Sequence, residues 1–209
     1  GISLSTTNIT VTDQVTKAQA DTINDYTSGQ VILNSVSASV SDLATIEALD
    51  DSEMKFADAG AISVSDAATL ANANTINAYT TGQVTLTAVS DTVANITSID
   101  GLTTSEVTMA GATVNVIDAA TLANANALNG FTTGQVTLTS VADTVANITT
   151  IDGLTTSEVT MAAATVSITD TGATKTQVDT VNAFTTGTVT PTSLTAVSYT
   201  HLRAHETVV

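Results

Sequence analysis

The chain has 209 residues, 43% of them hydrophobic but only 3% aromatic, so its core is sizeable and suits thin, regularly stacked layers. Twenty acidic residues against four basic ones give a net charge of −16, which argues against nucleic-acid or anionic-membrane binding. With no Cys there is no disulfide framework or thiolate metal site, and no apolar run approaches the roughly 18 residues that span a bilayer.

The chain starts at Gly1 with no Met and no signal-peptide pattern, so it reads as an internal piece of something longer. From Asp13 onward it repeats. DAATLANAN occurs at 66–74 and 118–126, TTGQVTLT at 80–87 and 132–139, and IDGLTTSEVTMA at 99–110 and 151–162. The period is 52 residues, and two diverged copies begin near Asp13 and Asp170. Comparing copies exposes columns: Ile23, Ile76, Leu128 and Val181; Asn24, Asn77, Asn129 and Asn182; Tyr26, Tyr79, Phe131 and Phe184; Gly29, Gly82, Gly134 and Gly187. Columns in register are what stacked repeats need, each copy packing like on like.

Each period splits into two half-units. Asp13, Asp42, Asp66, Asp91, Asp118, Asp143 and Asp170 each precede an apolar-periodic segment. In the half-unit from Asp66, that Asp reads as an N-cap, AATLANANTINAY as a short helix, and Gly82 as a C-cap needing positive φ. QVTLTAV (83–89) then alternates apolar and Thr residues, the period-2 signature of a strand with one buried face. The second half-unit, DTVANITSIDGLTTSEVTMA, reads as a turn or short helix and then a strand around Val107 and Met109, and TVNVI (113–117) as a further strand. A capping-box match at TTSE and a hairpin match at Asn129–Gly130 carry no weight in this context.

The fold expected is a parallel β-solenoid with short helices on one side, a β/α solenoid with a double unit of about 52 residues, running continuously over 1–196. Strands stacked about 4.8 Å apart would place a helix on every second strand about 9.6 Å from the next, within packing range. About eight strands would then make a rod of roughly 35–40 Å.

Residues for catalysis are missing. Before residue 197 there is no His, Arg or Cys, and the only Lys are Lys17, Lys55 and Lys175. No close carboxylate pair recurs in the repeats, and no base is available to activate a Ser, so the expectation is a protein that is not an enzyme. A column of Asp66, Asp91, Asp118, Asp143 and Asp170 invites either calcium or helix N-termini. The known calcium signatures are absent, so structural capping is the preferred reading and no cofactor is expected. Thr85 and Thr87, with Thr137 and Thr139, would point outward from equivalent strands as a candidate surface-binding face. Such Thr-x-Thr arrays resemble the ice-binding faces of antifreeze solenoids. The plainer reading is β-propensity on an exposed sheet face.

The wording of 11–29, SVADTVANI at 140–148 and VSITD at 166–170 resembles repeat arrays of large bacterial secreted or surface proteins of adhesin type. That resemblance spans about residues 9–190 and implies an extracellular or cell-surface spacer or stalk, often found beside calcium-binding RTX repeats, with no functional residues to carry over. The expected partners are neighbouring repeats of the same chain, then cell-surface or environmental ligands.

The C-terminal stretch differs. His201 and His205, four apart with Glu206 beside them, show a spacing that metal sites use. Composition changes abruptly at Val197, however, and 197–207 resembles one reading frame of sequencing-adapter DNA. Residues 197–209 are therefore expected to be a non-native tail, outside fold reasoning.

Overall fold

The computed structural model describes residues 4–102, 106–154 and 158–195. His201, His205 and the tail from Val197 lie outside the described residues, as do Thr103–Ser105 of the first TTSE match. The elements run β1 (Ile9–Val15), α1 (Lys17–Asn24), β2 (Val31–Ala38), α2 (Val40–Glu47), β3 (Met54–Ala68), α3 (Leu70–Asn77), β4 (Val84–Asp91) and α4 (Val93–Asp100). They continue with β5 (Val107–Thr108), β6 (Thr113–Ala120), α5 (Leu122–Phe131), β7 (Val136–Asp143), α6 (Val145–Asp152), β8 (Val159–Thr160), β9 (Thr165–Ile168), α7 (Lys175–Asn182) and β10 (Val189–Pro191).

The ten strands form one open sheet, in the order β1-β2-β3-β4-β6-β7-β9-β10, with β5 beside β4 and β8 beside β7. Every pairing is parallel. Because the order never reverses and parallel crossovers share one hand, the helices fall in a single row, and each touches the next from α1 to α7. The core lies between that row and the sheet. Val84, Leu86 and Val89 on β4, with Ile76, Ile96 and Ile99 on α3 and α4, are each at most 1% exposed. The alternating Thr residues occupy the other face, so period-2 patterning predicted the sheet correctly.

Two local expectations change. The second half-unit holds a full eight-residue helix, α4, so a helix follows each long strand. The Asp residues are not the caps of the helices that follow them. Those caps are Thr69, Thr92, Thr121, Thr144 and Thr174, whose side chains accept from the backbone amide three residues on. At Thr69 and Thr121 an Asn closes a reciprocal capping box, and at Thr16 and Thr174 a Gln does so. The spacing T-x-x-N/Q was the readable signal for these helix starts. Asp66 lies within β3, and Asp42 lies inside α2, in its first turn.

Equivalent strands are not stacked squarely. Val136 is the counterpart of Val84, yet it pairs with Val114, which pairs with Val89, five residues along β4 from Val84. Val31 and Val84 are related in the same way through Val36 and Ile62. Each double unit thus slides by about 16 Å along the strands while crossing about 9.6 Å of sheet. The diagonal step is about 19 Å, or about 9.5 Å per helix, a separation at which helices pack side by side. Strand spacing alone would bring successive helices to about 4.8 Å, which is impossible for adjacent helices. The stagger therefore lets every strand carry a helix.

It also lengthens the array. Six strand spacings and three slides separate Val31 from Val189, about 57 Å on a flat sheet. The chain has no Cys, so paired spin labels at Thr85→Cys and Thr190→Cys read the stagger directly. Dipolar spectroscopy should give a distance near 38 Å, whereas squarely stacked units would give about 19 Å.

Candidate functional site

The repeated chemistry of the chain sits at the joints between half-units. Each Asp of the column reaches back to the helix that follows the preceding strand. The Asp66 carboxylate accepts from the Val40 amide at 2.8 Å, and Asp91 from Leu70 at 2.9 Å. Asp118 accepts from Val93 at 2.8 Å, Asp143 from Leu122 at 2.9 Å, and Asp170 from Val145 at 2.6 Å. In all five joints the donor is the first residue of the helix, a group with no partner inside the helix itself. The negative charge also meets the positive end of the helix dipole.

The joints alternate between two designs. Asp91 also accepts from the Thr92 amide and from Asn95 Nδ2, both at 2.8 Å, so one carboxylate ties the starts of α3 and α4 together. Asp143 repeats this with Thr144 and Asn147 for α5 and α6. Burial pushes these two carboxyls up, but the hydrogen bonds from helix amides and Asn side chains outweigh it and hold both below the ordinary range. Asp66 and Asp118 instead sit in bulges, where β3 and β6 carry one residue more than β4 and β7.

Opposite each of those bulges stands a Thr of the candidate surface-binding set. The Thr87 hydroxyl donates to the Val64 carbonyl at 2.7 Å, and Thr139 donates to Val116 at 2.6 Å. Those hydroxyls satisfy carbonyls at the edge of the bulge. Thr85 and Thr137 are half-buried on the outer face, but the stagger separates them. Thr85 lies in a row with Ser63 and Thr108, while Thr137 lies in a row with Asn115 and Thr160. The structure therefore brings Thr85 beside Thr108 and Thr137 beside Thr160, and sets Thr85 and Thr137 on a diagonal.

A second joint is the Thr-Thr-Gly elbow before β4, β7 and β10. Thr132 is 5% exposed. Its hydroxyl donates to the Ala112 carbonyl at 2.6 Å and accepts from the Gly134 amide at 2.9 Å. Thr133 N–H donates to the Ala110 carbonyl at 2.8 Å. Thr80 with Gly82, and Thr185 with Gly187, repeat the arrangement on Gly60 and Ala164. The Gly column exists because of this contact. A Cβ on Gly82, Gly134 or Gly187 would lie 2.1–2.4 Å from a carbonyl oxygen of the previous half-unit. The positive-φ C-cap expected at Gly82 is not there; Gly172, at φ 77°, is the positive-φ glycine among the described residues.

Among the described residues no three His, Cys, Asp or Glu side chains converge as a metal site. The Asp column is neutralised by helix amides, so EDTA is expected to leave the melting temperature unchanged. A fall of several degrees on chelation, reversed by calcium, would show that a cation shares the load. A pocket of about 110 Å³ lined by Ile99, Asp100, Val107, Thr108, Met109, Ala110 and Phe131 is smaller than sites for drug-sized ligands, which run to about 300–1,000 Å³. No helix among the described residues is long and apolar enough to cross a membrane.

Compared with known proteins, the chain matches no family model, no curated protein and no solved structure.

Proposed function

We propose that the chain is a β/α solenoid segment, with a double unit of about 52 residues, serving as a spacer or adhesive stalk in a large secreted or cell-surface bacterial protein. The observation that carries this reading is the joint. The same carboxylate-to-helix bond ties each half-unit to the one before it at five successive crossings. Repeated nearest-neighbour ties of one kind suit an extended, load-bearing array. The acidic, Lys-poor surface suits a stalk that stays soluble and does not stick to itself. No catalytic role is part of this reading.

Single-molecule stretching tests it. A spacer of stacked units should lengthen in steps near 180 Å, the contour of one double unit at about 3.5 Å per residue. Release of the whole chain in one event at low force would count against it. The alternative, a Thr-rich face that binds ice, glycan or another ordered surface, has less support. Thr85 and Thr137 lie on a diagonal, and Thr87 and Thr139 have their hydroxyls engaged. Thermal hysteresis that disappears on Thr137→Tyr would revive that alternative.

A further inference from the structure

We propose that the free edge of β1 is a docking surface for one more half-unit of this repeat, a parallel strand followed by a short helix whose first amide meets Asp13. Three observations converge on this occupant. First, among the described residues β1 heads the strand order and pairs on one side alone, with β2. Second, β1 carries the same one-residue bulge as β3 and β6, between Val11 and Gln14. The bulge of β3 holds Asp66 and that of β6 holds Asp118, each bonded to the first amide of the helix after the preceding strand. Asp13 holds their place in β1, and its carboxylate has no hydrogen-bond or ionic partner among the described residues. Third, the apolar positions of this first unit are incompletely covered. Ile9, Val11 and Ile23 are half-buried, while their counterparts Ile62, Val64 and Ile76 are at most 1% exposed. A unit built to end an array would turn a polar face outward. This one keeps the bulge, the Asp and the apolar contacts of an interior unit.

The chemistry selects the kind of half-unit. Asp66, Asp118 and Asp170 cap α2, α4 and α6, so the helix that fits Asp13 is of the α4 type, following a strand of the β4 type. Among the described residues the last helix, α7, is followed by β10, so the described part of a second copy stops one helix short of what Asp13 would need.

The inference rests on the repeat reading above, yet the two can fail separately. Asp13 and Asp118 are 105 positions apart, so Gly1 is the counterpart of Glu106. Residues 84–105 are fused directly ahead of Gly1, with a Gly/Ser segment of equal length as control. The melting temperature should rise by about 3 °C or more over the control, and hydrogen exchange of β1 amides should slow at least tenfold. Asp13→Ala should be silent in the native chain and destabilising in the fused chain, whereas Asp118→Ala should be destabilising in both. A second fusion, carrying residues 136–157, guards against a poorly folding insert. If both fusions leave β1 exchange unchanged and Asp13→Ala silent, the docking surface is refuted, whereas stepwise stretching of the native chain would still support the spacer reading.

Discussion

Gly134→Ala is expected to destabilise the chain by about 3 kcal/mol or more, measured by urea or thermal unfolding. The new methyl carbon would lie 2.2 Å from the Ala112 oxygen and 2.6 Å from its carbonyl carbon. Neither partner can yield cheaply, because that same carbonyl is held by the buried Thr132 hydroxyl. Gly134 does not have positive φ, so the loss comes from close approach between half-units and not from backbone strain. Gly130→Ala is the matched control. Gly130 lies in α5, and nothing stands within 4 Å of a Cβ built there. That substitution should be neutral or stabilise by up to about 1 kcal/mol, as Ala replaces Gly in a helix. Equal losses at the two positions would show that the elbow contact is not what holds the units together.

Asp91→Ala and Asp143→Ala are each expected to cost about 2–3 kcal/mol. Asp91 is only 6% exposed, and its loss strands the Leu70 and Thr92 amides and the Asn95 side chain together. Asp66→Ala strands the single Val40 amide and should cost less. The pH dependence has a definite sign. The Asp91 and Asp143 carboxyls are held below their unfolded value, which lies near 3.9. The stability they contribute is therefore complete above about pH 5 and disappears as pH falls through their folded values. A chain carrying both Asp91→Asn and Asp143→Asn should be less stable at pH 7 and lose less on acidification from pH 5 to pH 2. Parallel stability–pH curves for the two chains would mean that these joints do not govern the acid response.

What could be read in advance was whatever repeats locally. The half-unit alternation and the buried Val84 and Leu86 against outward Thr85 follow from periodicity, and the helix over AATLANANTINAY from an Ala-rich run free of Gly and Pro, all within a few residues. The helix start was misplaced by three residues, because Asp66 resembles a cap more than Thr69 does until the Thr69–Asn72 reciprocity is noticed. The Thr face was legible as a face but not as an array, since a row on a sheet depends on register between strands. Thr85 and Thr137 hold equivalent places in the repeat and yet stand in different rows.

The amino-acid sequence by itself determined the period, the division of each period into two half-units, the apolar side of the long strands, and the absence of His, Arg and Cys before residue 197. The tertiary structure alone decided which helix each Asp caps, why the Gly column tolerates no side chain, and how far each unit slides past the last. Those outcomes rest on contacts made 20–26 residues apart, between half-units. Their physical origin is a mismatch of sizes. Helices need about twice the spacing that strands do, and a parallel sheet carrying a helix on every strand can meet both demands by staggering its register.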